Sequence, residues 1–504
     1  MAVGGAGTGA RSSETGAGYV WPRPRPADGY PAHGRTGYEL TDVDILQVDG
    51  TPDALPAEPE ALSDLAFALG LQATVYGLPA VVQYAHLCAE TVPAPGAPVV
   101  VNRLVHGREL AGPGYAVFGS PNSDTLYSNC LLDLSAGPVV LELPDFAGRY
   151  FTVNFLDAWG NATNISRSTS GREAGRYLLY ATDEPGCVVE GATPFRVATD
   201  LSWILLRIFA AGPDDLAAAC ALQDGVTLAP VGPGAVRAAD HPVVSPETVR
   251  TDAFAFFATL DHLIRRNGHP RQEDALLFGW RVLGIGVPTS AFDPDVLAPA
   301  AREGLARGFA AGYRVAAATL ANKGQAVSGG AWRRSDCGAW GFNYNLRAAQ
   351  NIMGQGATVV QENQSFVAFV DGDLRELTGE AGAYLLRFEP PPPVSAFWSV
   401  SAYDRRTGEY CANPLGRYSI NSASPGLGRG DDGSVHLVIS HDAPPGEAAG
   451  ANWLPCPPGR FYLVIRAYQP DEAVISGDWE PPPLRRTGSI GPEQARVAAA
   501  PGRP

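Results

Sequence analysis

The chain has 504 residues, 45% of them hydrophobic and 18% charged, enough apolar side chains for two or three cores of ordinary domains of about 150 residues, which excludes a largely disordered protein. Its 37 Lys and Arg stand against 52 Asp and Glu, a formal charge of −15, so nucleic acid is disfavoured as a partner. Seven scattered cysteines without a Cys-x-x-Cys pair, and eight histidines without His-x-His or His-Glu-x-x-His spacing, give neither a disulfide framework nor a metal motif.

Residues 1–58 are rich in Gly, Pro, Ala and Arg and read as a mobile tail, with room for a short strand at Ile45–Val48. They lack the charged start and continuous apolar stretch of a signal peptide, and no apolar run reaches the ~20 residues of a membrane span. A soluble cytoplasmic protein with no membrane partner is therefore expected. From Leu62 the spacing predicts an apolar helix with Ser63 as N-cap and a kink or break at Pro79. Residues 99–180 shift to a period near two, in runs such as Tyr150 to Phe155 and Arg176 to Tyr180, which predicts an antiparallel β unit.

Helical signals follow at Asp200–Phe209, Asp214–Leu222, after the Ser245-Pro246 cap, at Gln272–Val282, from about Val296 to Leu320, and around Tyr344–Ala349. Lys323 is the only lysine of the chain. It reads as the end of the long helix, capped by Gly324, a placement that leaves no amine for Schiff-base or pyridoxal-phosphate chemistry and no P-loop. A second β-rich stretch runs from Phe366 to Tyr468, and residues 487–504 form a tail. The expected class is α+β: two antiparallel β-sandwich or jelly-roll-like modules at 59–200 and 357–486, with a helical region at 201–356 between them.

Four stretches, Pro121 to Ser128, Gly148-Arg149-Tyr150 with Leu156-Asp157-Ala158-Trp159, Ala221 to Gly225, and Phe397-Trp398-Ser399 with Tyr403-Asp404, resemble the bacterial family that pairs domain of unknown function 1254 with domain of unknown function 1214. Asn413-Pro414, Arg417-Tyr418, His441-Asp442, Asn452 to Pro455, and Tyr462 to Arg466 with Tyr468 extend the resemblance, which spans roughly residues 62–486. It implies two β-rich modules flanking or sharing a helical region, and no assigned activity.

Strand alternation places Phe151, Val153, Phe155 and Asp157 on one face. A buried Asp157 without a partner would be a general acid or base, whereas pairing with Arg149 or Arg417 would make it structural. His441, followed by Asp442 at a strand end, is the second acid/base candidate. Asn122, Asp124 and Tyr127 are substrate orienters or, alternatively, members of a polar turn. Arg417 is an anion clamp, and Trp398 and Tyr403 are pocket walls, with core packing the competing role for Trp398. Together these residues suggest a small-molecule enzyme of specialised metabolism that uses acid/base chemistry, as a hydrolase, lyase or isomerase, without metal or organic cofactor. The alternative is a non-catalytic ligand-binding or assembly protein using the same β faces. A homo-oligomer is compatible with either.

Overall fold

The computed structural model describes residues 55–488 except 116–118, 171–173, 233–240, 321–322 and 445–449. Residues 1–54 and 489–504, with most of both expected tails and the strand expected at 45–48, lie outside the described residues. The helices are α1 (Pro59–Thr91), α2 (Arg167–Ser170), α3 (Leu216–Asp224), α4 (Pro246–Thr251), α5 (Ala253–Asn267), α6 (Asp274–Arg281), α7 (Pro299–Leu320), α8 (Tyr344–Met353) and α9 (Glu472–Ser476).

The apolar run from Leu62 is the 33-residue α1. It starts three residues earlier than Leu62, with Glu58 at the cap position, so that Ser63 is buried inside the helix. Pro79 neither splits nor ends it. Proline removes one backbone bond locally, whereas α1 is buried along most of its length against the other helices, which outweighs that loss. Gly304, Gly308 and Gly312 recur at one face of α7 and allow α1 to approach closely: a Cβ on Gly304 would lie 2.1 Å from the Ser63 carbonyl oxygen, and one on Gly308 2.5 Å from that of Phe67. An 18-residue window of α1 reaches a mean hydropathy of 1.7, long and apolar enough by composition to cross a membrane, but 61% of that window is buried inside the fold. At α4 the expected cap forms, with Ser245 Oγ accepting from the Thr248 N–H at 3.0 Å.

The first sandwich uses β1 (Val105–His106), β2 (Thr125–Asp133), β3 (Val139–Leu143), β4 (Phe151–Leu156), β5 (Ala162–Ile165), β6 (Gly175–Tyr180), β7 (Ala192–Arg196), β8 (Leu201–Phe209) and β9 (Thr227–Pro230). A sheet of order β1-β2-β8-β4-β5 packs on one of order β7-β6-β3-β9, across a core that includes Leu126, Leu141, Val153, Phe155, Leu179 and Ile204. Leu201–Phe209, expected as a helix, is the central strand β8. Its run shows no in-and-out alternation because both faces are covered: Ile204, Leu206 and Ile208 point into the sandwich core, and Leu201, Trp203 and Leu205 into the helical layer. A strand covered on both faces loses the period-two signal.

The second sandwich uses β10 (Gln325–Val327), β11 (Trp332–Ser335), β12 (Asn363–Ala368), β13 (Ala383–Phe388), β14 (Val394–Asp404), β15 (Ser419–Asn421), β16 (Val435–Ser440), β17 (Trp453–Pro455), β18 (Phe461–Pro470) and β19 (Arg485–Gly488). Its sheets have orders β10-β11-β12-β18-β14-β15 and β17-β16-β13-β19, and they enclose Trp332, Phe366, Phe388, Trp398, Leu437 and Leu463. Strand pairing is antiparallel except at β6/β7 and β16/β17. The α+β class with two β-sandwiches and a helical region between them in the chain is thus observed. Strands β8 and β9 of the first sandwich, and β10 and β11 of the second, fall within the span expected to be helical.

Candidate functional site

Each sandwich turns an outer sheet face towards the other, and strand alternation decides what those faces carry. On the first, Tyr127 of β2 is the cross-strand partner of Arg207 in β8. On the second, Arg466 of β18 lies between Ser365 of β12 and Ser399 of β14. The two faces meet at a cavity of about 120 Å³, lined by Ser120, Asn122, Tyr127 and Arg207 from the first half and by Asn363, Ser365, Val367, Val464, Arg466 and Tyr468 from the second. Lys323, Ser335, Cys337, Gln350 and the loop 354–358 close it. A cavity of roughly 150 Å³ accepts a benzene ring, so this one suits an occupant of about six heavy atoms.

The lining contains three cationic side chains and no Asp or Glu. All three are nearly fully enclosed, with Arg207 and Lys323 8% exposed and Arg466 9%. Arg207 donates from Nη2 to the Gly356 carbonyl at 2.6 Å, its guanidinium carbon lies 5.7 Å from the Tyr127 ring centre, and its buried Nη1 has no hydrogen-bond partner. Gly356 adopts φ +72°, and a Cβ there would sit 2.5 Å from Leu205, so glycine is required for the loop to bring its carbonyl to Arg207. Arg466 donates from Nη1 to the Tyr403 hydroxyl at 2.9 Å and from Nη2 to the Ser120 carbonyl at 2.7 Å. The Lys323 amine donates to Gln350 Oε1, whose amide nitrogen is held by the Gly354 carbonyl at 2.8 Å. Burial pushes the Lys323 amine below its ordinary range and the neighbouring Cys337 thiol above its own.

Lys323 was expected at the end of the long helix, with Gly324 as its cap. Helix α7 ends at Leu320, Gly324 at φ +80° leads into β10, and the Lys323 amine before it lies in the cavity wall. With the amine there, the helix-end placement no longer argues against amine chemistry.

Of the residues singled out from the sequence, Asn122 and Tyr127 line the cavity. The Asn122 amide donates to the Tyr468 hydroxyl, and the Tyr127 hydroxyl accepts the Asn122 N–H at 2.8 Å. Tyr403 stands behind Arg466, its hydroxyl donating to the Pro121 carbonyl at 2.5 Å. Asp124 fastens the two halves together, accepting from Asn421 Nδ2 at 2.8 Å and Ser419 Oγ at 3.1 Å, while burial pushes its carboxyl up.

Asp157, Trp398, Arg417 and His441, like Asp124 and Tyr403, do not line this cavity. Strand β4 ends at Leu156, one residue before Asp157, whose carboxylate accepts the Trp159 and Asn161 N–H groups at 2.9 and 2.8 Å and the Asn161 amide at 3.0 Å. It closes a turn, and burial raises its pKa. The two arginines considered for it are engaged elsewhere. Arg149 is bidentate to Asp215 at 2.5 and 2.8 Å, and Arg417 donates to the Gly450 and Trp453 carbonyls at 2.8 Å each. His441 is exposed beyond β16, with Nδ1 3.1 Å from the Cys456 carbonyl. Trp398 packs on Phe388 in the second core, ring centres 5.1 Å apart.

A second cavity of about 210 Å³ is lined by Arg149, Tyr150, Phe209 and Phe397 among others. The Arg149–Asp215 pair leaves that arginine neutralised. Among the described residues no group of three or more His, Cys, Asp or Glu is placed to hold a metal ion.

The family model of the protein of unknown function DUF1254 matches residues 101–230, and that of DUF1214 matches residues 362–472. The chain carries the two in that order, as its motifs imply. No curated protein matches it. Among solved structures, the VPA0106 protein from Vibrio parahaemolyticus aligns at a TM-score of 0.63 and 21% identity, covering 84% of this chain and 100% of that one, which shows a shared fold. An uncharacterized protein from Burkholderia cenocepacia aligns at a TM-score of 0.41 and 11% identity, over 84% of this chain and 94% of that one.

Proposed function

We propose that the cavity between the two sandwiches binds a small carboxylated or otherwise anionic molecule. The observation that carries this reading is the convergence of Arg207, Arg466 and Lys323 on one small cavity whose lining holds no carboxylate. Buried cations are ordinarily paired, because desolvation of an uncompensated charge is costly. The buried carboxylates of Glu362 and Asp124 act on Arg207 and Arg466 from outside the lining; an anionic guest would add a partner inside it, with Nη1 of Arg207 as an open donor and the hydroxyls of Tyr127 and Tyr468 and the amide of Asn122 as orienting groups.

Acid/base chemistry, if this site performs it, falls to the titratable groups in the lining. Asp157 and His441 are not among them.

The test is thermal unfolding of the full chain in acetate, pyruvate, phosphate and sulfate at fixed ionic strength. A bound guest raises the midpoint in proportion to the logarithm of its concentration above Kd. At least one small anion should stabilise the wild type, and Arg207→Met should abolish the shift. Equal insensitivity to all four anions, or a shift that survives in Arg207→Met, would overturn the proposal.

A further inference from the structure

Resting on the anion-site reading above, we infer that Lys323 is a nucleophile that condenses with the carbonyl of a small oxo acid, whose carboxylate is held by Arg207 and Arg466. The first ground is the choice of side chain. The chain contains 37 Lys and Arg, all but one of them arginine, and the single lysine lies in the cavity wall, 8% exposed. A site that needed only positive charge would be served by a third guanidinium. Arginine stays protonated at any accessible pH, whereas an ammonium can lose its proton and expose a lone pair. Lysine is the cationic side chain that can both attract an acid and attack its carbonyl.

The second ground is the surroundings of the amine. Its hydrogen-bond acceptor is the neutral Gln350 amide, not a carboxylate that would hold it protonated. Burial opposes the charge and outweighs the opposite pull of the nearby Cys337, whose own thiol burial pushes up. Desolvation of a lysine in this way is a recognised route to a nucleophilic amine.

The third ground is size. About 120 Å³ matches the smallest oxo acids, in which carboxylate and carbonyl are adjacent or one carbon apart. Both arginines and the amine line that one cavity.

The step balances without a further reagent. The neutral amine nitrogen forms a bond to the carbonyl carbon, the carbonyl π pair moves to oxygen, and one amine proton transfers there to give a carbinolamine. Its hydroxyl leaves as water as the second amine proton is lost, which yields the imine. With a proton taken up from solvent the imine becomes an iminium, whose carbon, the former carbonyl carbon, is an electron sink for the bonds around it.

Trapping decides the matter cleanly, because Lys323 is the only side-chain amine. The full chain is incubated with pyruvate, and separately with acetoacetate, in the presence of cyanoborohydride, and the product is read by intact mass and peptide mapping. One reduced adduct per folded chain is expected, mapped to Lys323 and distinguished from the N-terminal amine. It should be absent in Lys323→Arg, and its rate at subsaturating oxo acid should be about tenfold or more lower in Arg207→Met. Lys323→Met tests the same point without the charge, and the mapping on wild-type protein needs neither variant to fold.

Arg207-dependent stabilisation by pyruvate or acetoacetate with no adduct on Lys323 would overturn the nucleophile and leave the anion site standing. Neither stabilisation nor adduct would overturn both. Equal labelling of the urea-unfolded chain would reduce the adduct to ordinary amine reactivity and overturn the inference.

Discussion

Arg207→Met separates what this side chain does for the fold from what it does for a guest. In the ligand-free protein the substitution removes the Nη2 bond to Gly356, 2.6 Å long, worth about 1.5–3 kcal/mol as a bond from a charged donor. It also removes a buried Nη1 without a partner, whose desolvation costs about 1–3 kcal/mol. The two nearly cancel, and methionine refills most of the volume beside Tyr127. Glu362, the buried carboxylate on which the Arg207 charge acts, keeps its hydrogen bonds from Ser166 and Ser168 in the variant. Denaturant unfolding without ligand should therefore give a stability within about 1 kcal/mol of wild type, or higher. Binding should respond differently, since a charge-assisted contact worth about 1.5–3 kcal/mol corresponds to a 10- to 150-fold weaker Kd for pyruvate by calorimetry. A loss of more than about 3 kcal/mol in stability with unchanged affinity would refute the reasoning and make Arg207 a structural strut.

Asp157→Asn should keep the acceptor for the two turn N–H groups but set one amide against the Asn161 amide, costing about 1–2 kcal/mol in denaturant unfolding and leaving anion binding intact; lost binding at full stability would return Asp157 to the chemistry. Asp133 is fully buried between His241 at 2.8 Å and Arg266 at 2.9 Å, and its replacement by Asn should cost about 3–5 kcal/mol. Burial works against the Asp133 charge, but hydrogen bonds from His241 and Ser135, with Arg266, hold the carboxyl well below the usual range. The folded pKa lies under the unfolded value, so this stabilisation is present above about pH 4 and lost as pH falls further. Burial pushes His262 and His86 down to about 4. The unfolded chain then binds protons first, so melting temperature should drop as pH falls from about 6.5 towards 4, and His262→Gln should flatten that slope.

The sandwiches were legible in the sequence where turn residues punctuate short aromatic and β-branched runs, as at Tyr150–Phe155 and Val435–Ser440, although these strands too are buried nearly throughout. They were illegible at β8, where two covered faces erase alternation and Leu-Ser-Trp-Ile-Leu-Leu-Arg-Ile-Phe reads as readily as a helix. The same confusion hid Arg207, since a charge inside a helix finds water at the next turn, whereas on a central strand it must enter whatever covers the sheet. Arg466 sits likewise in Phe-Tyr-Leu-Val-Ile-Arg-Ala-Tyr, a run quoted for its resemblance and not weighed for its chemistry. A lone arginine in an apolar strand was the signal available for both. For Lys323 the signal was its singularity, and local helix-end rules overrode it because they cannot register that a residue just past a helix lines a cavity.

Why the acid/base candidates scattered while the cations converged follows from the architecture. Asp157 and His441 both sit where strands end, and there side chains satisfy turns: the Asp157 carboxylate spends its acceptors on Trp159 and Asn161. Arg207 and Arg466 sit on strands with neighbours on both sides, the third of five and the fourth of six in their sheets, where backbone groups are already paired in the ladders and each guanidinium must find partners across the gap between sandwiches. Ser120 of the first half accepts from Arg466 of the second, and Gly356, on the loop leading into the second, accepts from Arg207 of the first. Neither half alone contains the charge cluster or the groups that orient it, so cavity, charge and the pairing of the two domains in one chain are parts of one arrangement. Cutting the Asp124 contacts to Ser419 and Asn421 would accordingly loosen the site without touching any residue that lines it.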